Sequence, residues 1–164
     1  MTTPRRRNKR AAATAVALMV CGLSVLGTTS ASADISKTVK MVGGDGINTA
    51  RMLQLYYNSN CAGAEADFTD DVPDYAGWVT LTGSGTQQTE TNYVYVFGGL
   101  KGANGYGVAV KNNAASMRTD TGYYHVYYNS GYSGHSQIIM GDLHDACVNL
   151  DSTLKNNNAS QLSG

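Results

Sequence analysis

An apolar run long enough to cross a membrane is missing from this 164-residue sequence. Residues 11–26 are apolar and small, but about sixteen residues are fewer than the roughly 20 that span a bilayer, which disfavours a transmembrane anchor. A basic run precedes this segment and Ala31-Ser32-Ala33 follows it. This order is typical of a secretory signal, so we predict a signal peptide over 1–33 and a secreted, extracellular protein.

Basic residues are scarce beyond the predicted cleavage site. Five of the twelve Lys and Arg lie in the first ten positions, whereas all twelve Asp and Glu follow residue 33. The mature chain would therefore carry seven basic and twelve acidic residues, a net charge of −5. Such a chain lacks the basic footprint that neutralises phosphates, so neither nucleic acid nor a membrane surface is an expected partner.

Enzyme motifs are absent too. The sequence contains no His-Glu-x-x-His, no Gly-x-Ser-x-Gly and no phosphate-binding glycine loop between a strand and a helix. Of the histidines His125, His135 and His144, the last two would suit metal or acid–base chemistry if they met Asp142 and Asp145, but exposed polar residues are the simpler interpretation. We predict that the protein is not an enzyme.

Helical periodicity is also scarce, and short segments rich in tyrosine and valine take its place. The predicted strands are 52–57, 77–82, 92–97, 107–110, 123–128 and 137–140. Six short strands bounded by turn residues predict an antiparallel sandwich, here over 53–164. A weakly ordered lead-in is expected over 34–52 and a short helical turn near 142–147.

Two blocks recur in the order A-B-A-B. Block A is Tyr56–Gly63 and again Tyr127–Gly134; block B is Lys111–Ser116 and again Lys155–Ser160. From the first Tyr of block A to the first Asn of block B, the spacing is 56 positions in the first copy and 29 in the second, a difference of 27. We therefore predict an insertion over about 82–105, whose segment 93–97 is a doubly covered strand or an added edge strand.

Block A has the spacing of a folded hairpin, in which an aromatic ring packs over the turn and a glycine supplies a positive φ. Tyr127, Tyr132 and Gly134 fit this pattern, but the first copy has Cys61 at the second aromatic position. After cleavage Cys61 and Cys147 are the remaining cysteines. Export permits a disulfide between them, and two buried free thiols are the alternative.

Block B is rich in residues that form tight loops, because Asn and Ser side chains bond to nearby backbone. The same amide and hydroxyl oxygens suit a hard cation such as Ca²⁺. Without a carboxylate in either block, a calcium site would be weak. From the residues alone, a turn and a metal site remain equally open.

The repeated hairpin and Asn-Asn-x-x-Ser loop together resemble the βγ-crystallin double Greek key, in which two loops exchange ligands to hold two calcium ions. The resemblance implies an all-β sandwich with an inserted hairpin in the first motif. It implies Ca²⁺ ligands at six positions: Asn112, Asn113, Ser116, Asn156, Asn157 and Ser160. The family's final Ser is replaced by Met117 and Gln161.

A closer resemblance is to small secreted actinobacterial proteins of this fold, which include inhibitors of thermolysin-like metallopeptidases. Tyr-Tyr-Asn-Ser, Lys-Asn-Asn-Ala-Ala-Ser and Asn-Asn-Asn-Ala-Ser are typical of that group. The resemblance implies a monomer that blocks an extracellular metallopeptidase through an exposed loop. We expect that loop within 141–150, around Cys147 and Val148 with Leu150 as a further apolar anchor, with 98–105 as the rival.

Two other functions remain open at this stage. One is a calcium-binding structural or interaction protein of the cell wall or spore surface. The other, less favoured, is an antimicrobial role like that of killer toxins on the same fold.

Overall fold

The computed structural model describes residues 34–42, 53–85, 87–141 and 146–164, with side chains from residue 53 onward. These residues form strands and turns and no helix, and none of them belongs to a helix that could cross a membrane. The predicted signal peptide lies outside them, as does most of the predicted helical turn. The strands are β1 Asp34–Val42, β2 Leu53–Asn58, β3 Ala62–Phe68, β4 Trp78–Ser84, β5 Gln87–Tyr95, β6 Ser116–Thr119, β7 Tyr123–Asn129, β8 Ser133–Met140, β9 Val148–Asn149 and β10 Ser160–Ser163.

Two sheets contain the two repeats, and each sheet borrows a strand from the other repeat. The first sheet has the order β3-β2-β6-β9, so β9 from the second repeat lies at its edge. The second has the order β10-β7-β8. Beside β10, Val72 from the first repeat forms an antiparallel bridge to Gln161. This exchange makes two interlocked Greek keys, so the predicted all-β double Greek-key fold is confirmed. We call the repeat with β2, β3, Val72 and β6 motif 1, and the repeat with β7 to β10 motif 2.

The core lies between these two sheets. Burial alternates over most of β2 and β3, as a one-sided strand requires: Leu53, Leu55, Ala64, Ala66 and Phe68 are buried. Motif 2 contributes its own inward-facing side chains from β7 and β8. The largest fully buried side chains include Tyr75, Tyr124, Phe97, Leu53 and Leu55. Burial of such side chains contributes about 1.5–3 kcal/mol each, which holds the two motifs together.

The insertion in motif 1 forms a third sheet. Its hairpin, β4 and β5, begins at Trp78, and β1 pairs with β5 in parallel, giving the order β1-β5-β4. Residues 93–95 of the segment predicted as a doubly covered strand or an added edge strand belong to β5, which is the central strand of this sheet and not its edge. Tyr95 packs edge-on against Phe68 of β3 at 5.2 Å between ring centroids, which joins the insertion to the sandwich.

Three sequence-based predictions differ from this fold. Residues 34–42, expected as a weakly ordered lead-in, form β1, because β5 offers them a free edge with which to pair. The predicted strand at 107–110 is wrong: Gly107 has a positive φ, and the stretch makes only a bridge between Ala109 and Val96. Four strands of alanine or polar composition, β3, β6, β9 and β10, were not predicted.

Candidate functional site

The serines that close the two B blocks fix the two folded hairpins. The Ser116 hydroxyl donates to the carbonyl oxygen of Asn58 at 2.6 Å and accepts from the N–H of Cys61 at 2.9 Å. Ser160 makes the same pair of bonds, to the carbonyl of Asn129 at 2.7 Å and from the N–H of Tyr132 at 3.1 Å. Both serines are fully buried. The two motifs are therefore related by an approximate twofold repeat down to single hydrogen bonds.

The hairpin turns themselves follow the predicted geometry. Tyr132 and Cys61 sit at matching positions with φ of 58° and 51°, and Gly134 and Gly63 follow with φ of 81° and 84°. Tyr132 packs on Tyr127 with ring centroids 6.2 Å apart. A Cβ on either glycine would lie within 2.8 Å of the amide of the hairpin's own asparagine. These turns consequently require glycine at those two positions.

In the first hairpin, a covalent bond takes the place of the aromatic contact. Cys61 and Cys147 form a disulfide with their Cα atoms 5.8 Å apart, as predicted. Because Cys147 directly precedes β9, the bond joins the hairpin of motif 1 to the strand that motif 2 contributes to the same sheet. The alternative of two free thiols is not what the structure contains.

A polar cleft of about 390 Å³ opens beside the first hairpin, and we call it cleft 1. It is built from both motifs, since the hairpin meets both B blocks there. Its lining residues are Tyr57, Asn58, Ser59, Asn113, Ala115, Lys155 and Asn156.

A second cleft of about 260 Å³, cleft 2, opens beside the second hairpin. Every residue that lines it stands at the position equivalent to a lining residue of cleft 1. These residues are Tyr128, Asn129, Ser130, Asn157, Ala159, Lys111 and Asn112. The loops thus exchange residues between the motifs, as the family resemblance implied.

A lysine from one motif reaches the hairpin serine of the other in each cleft. In cleft 1 the Lys155 ammonium donates to Ser59 Oγ at 2.9 Å. In cleft 2 the Lys111 ammonium donates to Ser130 Oγ at 3.1 Å and forms an ion pair with Asp74 at 2.8 Å. Both clefts therefore contain a fixed positive charge.

The charge of Asp74 is stabilised by these contacts. Desolvation alone would raise the pKa of its carboxyl. Hydrogen bonds from Lys111, the Ala76 N–H and Ser130, together with the charge of Lys111, outweigh that effect and hold the pKa below its ordinary value.

Of the six predicted calcium ligands, four line the clefts and two do not. Asn113 and Asn156 line cleft 1, and Asn112 and Asn157 line cleft 2. Ser116 and Ser160 line neither cleft. Among the described residues, no three His, Cys, Asp or Glu gather into a group that could hold a metal ion. The calcium role of the four asparagines and two serines remains a prediction.

The histidine cluster considered from sequence is only partly described. His135 Nε2 lies 2.6 Å from the carboxylate of Asp151, and both side chains are well exposed. The hydrogen bond with His135 holds the pKa of Asp151 below its ordinary value, with help from the N–H groups of Leu154 and Thr153. Residues 142–145, which include His144, lie outside the described part of the chain.

Of the expected inhibitory segment, 141–150, the structure describes residues 141 and 146–150, and neither Val148 nor Leu150 is well exposed there. Val148 lies in β9 opposite Met117 and packs partly buried against the core. Leu150, expected as a second anchor, is buried, because its N–H bonds to Ala115 and draws the chain inward. The inhibitory role of Cys147 and Val148 remains a prediction, and the structure places only Cys147 at the surface.

The rival segment, residues 98–105, follows β5 instead of forming the turn of the β4–β5 hairpin, and we call it the tip loop. Its first residue bonds through the Gly98 N–H to Glu65, and near its end the carbonyl of Asn104 accepts from Ala64, at 2.7 and 2.8 Å. Leu100, the third residue of the loop, is 81% exposed. The tip loop is thus a tethered loop with an apolar side chain in solvent.

Sequence reasoning missed the two lysines of the clefts. It assigned block B to turns or metal ligands on the strength of its asparagines and serine. The available signal was the repetition of lysine at the first position of both blocks, at Lys111 and Lys155, together with the repeated serine of block A, at Ser59 and Ser130.

Comparisons with known proteins give two βγ-crystallin domains among the solved structures. A βγ-crystallin from an archaeon is 14% identical to this chain in sequence, and its TM-score is 0.42. The match covers 71% of this chain and all of the archaeal chain. One from Ciona intestinalis is 12% identical with a TM-score of 0.42, and covers 70% of this chain and all of its own. No family model and no curated protein matches the chain. The fold assignment stands on the strand exchange itself.

Proposed function

We propose that the protein is a secreted, non-catalytic inhibitor of extracellular metallopeptidases of the thermolysin-like type, and that the tip loop enters the peptidase cleft. One observation carries this proposal: the 81% exposure of Leu100 on a loop whose two ends are held by backbone hydrogen bonds. A peptidase with an apolar specificity pocket would bind such a side chain. Because the loop is already ordered, little conformational entropy is lost on binding.

The loop is also built to resist release after cleavage. The N–H of Gly98 bonds to Glu65 of β3, and the N–H of Gly107 bonds to Phe97, so the two flanks of the tip loop are tied to β3 and to each other. Asn104 is held by Ala64 on the C-terminal side of Leu100. If the peptidase cut a bond beside Leu100, both new ends would remain in place. Retention of both ends distinguishes an inhibitor from a substrate.

The rest of the insertion supports a protein-binding role. Trp78, Val79 and Leu81 of β4 are 43%, 57% and 64% exposed. Tyr106, just after the tip loop, is 48% exposed. Large exposed apolar side chains on an added element are typical of a surface that a protein partner covers. Strands β7 and β8 expose others: Tyr123, Tyr128, Ile138 and Met140.

The test is a titration of the purified full chain against a thermolysin-like metallopeptidase, followed by cleavage of a small peptide substrate. We expect a stoichiometric endpoint, and an inhibition constant raised about 30-fold or more by Leu100→Asp, as for an interface hot spot. Met140→Asp is the matched control, because it puts the same charge on an exposed apolar side chain of β8, outside the insertion. It should change inhibition far less.

Two results would overturn the proposal. Intact, folded protein that inhibits no metallopeptidase of this type would remove the function. If inhibition survives Leu100→Asp but is lost in Val148→Ala, the protein is an inhibitor but its inhibitory element is the segment around Cys147 and not the tip loop.

A further inference from the structure

We infer that lysine ammonium groups are the resident cations of clefts 1 and 2, and that neither cleft accommodates a calcium ion. This inference is independent of peptidase inhibition. It concerns Lys155 in cleft 1 and Lys111 in cleft 2, which hold equivalent places in the twofold repeat. The family resemblance points to calcium at the same clefts, so the inference departs from what the fold implies.

The donors in the clefts do not suit calcium. Protein-bound Ca²⁺ takes six to eight oxygen ligands, among them carboxylates that balance its charge. The side chains that line cleft 1 offer amide, hydroxyl and phenol oxygens, and none of them is a carboxylate. The same holds for the lining of cleft 2. The carboxylate of Asp74, which lies next to Lys111 of cleft 2, is already paired with that lysine at 2.8 Å.

The serines that were predicted to be ligands are engaged elsewhere. The hydroxyls of Ser116 and Ser160 are fully buried, and each donates one hydrogen bond to a backbone carbonyl and accepts one from a backbone N–H. At the preceding position, Ala115 and Ala159 line the clefts and carry no side-chain oxygen. The only side-chain oxygens that the B blocks bring to the clefts are therefore those of their asparagines.

The lysines make the connection that a bound metal would make. Lys155, from motif 2, bonds to Ser59 on the hairpin of motif 1 at 2.9 Å. Lys111, from motif 1, bonds to Ser130 on the hairpin of motif 2 at 3.1 Å. A positive charge thus links the loop of one motif to the hairpin of the other in both clefts. A divalent ion entering either cleft would be repelled by this charge unless the ammonium left.

The first test measures metal binding to the unmodified full chain. Terbium, a luminescent substitute for calcium, is excited through nearby tyrosine, and Tyr57 and Tyr128 line the two clefts. We expect no saturable terbium luminescence that calcium can compete away. We also expect a Tm that differs by less than about 1 °C between excess EDTA and 10 mM calcium, since a ligand that does not bind the native state cannot stabilise it.

The second test converts cleft 1 into a metal site. Lys155→Asp together with Ala115→Ser removes the ammonium and adds a carboxylate and a hydroxyl at the lining of the cleft. This variant should gain terbium luminescence and a calcium-dependent rise in Tm of several degrees. Lys101→Asp is the matched control: it makes the same charge change at an exposed lysine of the tip loop, and should gain neither signal.

Saturable terbium luminescence of the unmodified chain, competed by calcium and lost in Asn113→Ala with Asn156→Ala, would overturn the inference and establish the calcium site. A calcium-dependent Tm of the unmodified chain would do the same. Both measurements are made on the unmodified protein, so the inference can be refuted even if a variant fails to fold.

Discussion

Ser116 and Ser160 lie at equivalent positions in the two motifs and lock the two hairpins through matching pairs of hydrogen bonds, from 2.6 to 3.1 Å long. Each hydroxyl lies with no exposure between a backbone carbonyl and a backbone N–H that it satisfies. Loss of either hydroxyl would leave a partly buried backbone carbonyl and a partly buried N–H without this partner. Because the two groups are only partly buried, their loss should together cost about 1–3 kcal/mol, so the serines stabilise the fold directly.

We therefore predict that Ser116→Ala lowers the free energy of unfolding by about 1–3 kcal/mol, and that Ser160→Ala does so equally. Urea denaturation followed by circular dichroism measures this. Ser152→Ala, at an exposed position, is the control and should change stability by less than about 0.5 kcal/mol. The loss should be the same in calcium and in EDTA. A loss seen only in calcium would mean that the serines act through a bound ion.

The double Greek key could be predicted because the sequence repeats itself. Block A marks a hairpin by its spacing of tyrosine, aromatic or cysteine, and glycine, and this spacing survives in both copies. The strands that followed from it, β2 and β7, are confirmed nearly to the residue. The spacing within block A predicts a hairpin, and the presence of two such hairpins predicts the double Greek key.

The strands that escaped prediction are those whose conformation is set by a partner. β6 and β10, Ser-Met-Arg-Thr and Ser-Gln-Leu-Ser, are short and carry few residues with strand propensity. They become strands because β2 and β7 offer them an edge. In the same way β9 owes its position to pairing with β6 and to the neighbouring disulfide.

The clefts escaped prediction for a related reason. Asparagine-rich blocks contain the oxygens of a calcium site, and a sequence motif cannot show which hydroxyls the fold has already used. Lys155 and Ser59 are 96 residues apart. Only the exchange of loops between the motifs brings the ammonium to the hairpin, so the charge of each cleft is a property of the fold.

The disulfide should contribute a large share of the stability. In the chain-entropy model, a cross-link between residues 86 apart stabilises by roughly 4 kcal/mol. We predict that replacing Cys61 and Cys147 together by Ala lowers the free energy of unfolding by about 2–5 kcal/mol. A thiol assay on the unfolded, unreduced mature protein should find no free cysteine. Two free thiols in that assay would contradict the pairing.

The Lys111–Asp74 pair should make stability depend on acidity. The pKa of Asp74 is held below its ordinary value in the fold, so the carboxylate stabilises the native state at pH values above the unfolded pKa of about 3.9. That contribution should disappear as the pH falls through about 4 toward the lower pKa of the folded state. Asp151, held below its ordinary pKa through His135, should act with the same sign.

Denaturation of Asp74→Asn between pH 7 and pH 3 tests this. The variant should be less stable than the unmodified protein at pH 7 and approach it at low pH, with a difference below about 1 kcal/mol because the side chains of the pair are 32% and 37% exposed. Asp70→Asn removes a carboxylate at an exposed position and serves as a control for general charge effects. An Asp74→Asn difference that grows as the pH falls would refute the assigned sign.

Gly105 and Gly102 provide a matched test of how the tip loop is held. Both have a positive φ, 89° and 95°, so alanine costs backbone strain at either position. At Gly105, however, a Cβ would lie 2.2 Å from Cγ of Tyr57, whereas at Gly102 it would meet nothing within 4 Å. Gly105→Ala should therefore cost about 1–3 kcal/mol more than Gly102→Ala in urea denaturation, the added amount being the cost of overpacking.

The same pair distinguishes the stability of the loop from its use in binding. Gly105→Ala must displace either the tip loop or the ring of Tyr57, which packs edge-on against Phe97 at 5.7 Å. If the tip loop is the inhibitory element, Gly105→Ala should weaken peptidase inhibition more than Gly102→Ala does at a temperature where both variants are folded. Equal inhibition by the two variants, with unequal stability, would show that the position of the tip loop is irrelevant to the peptidase.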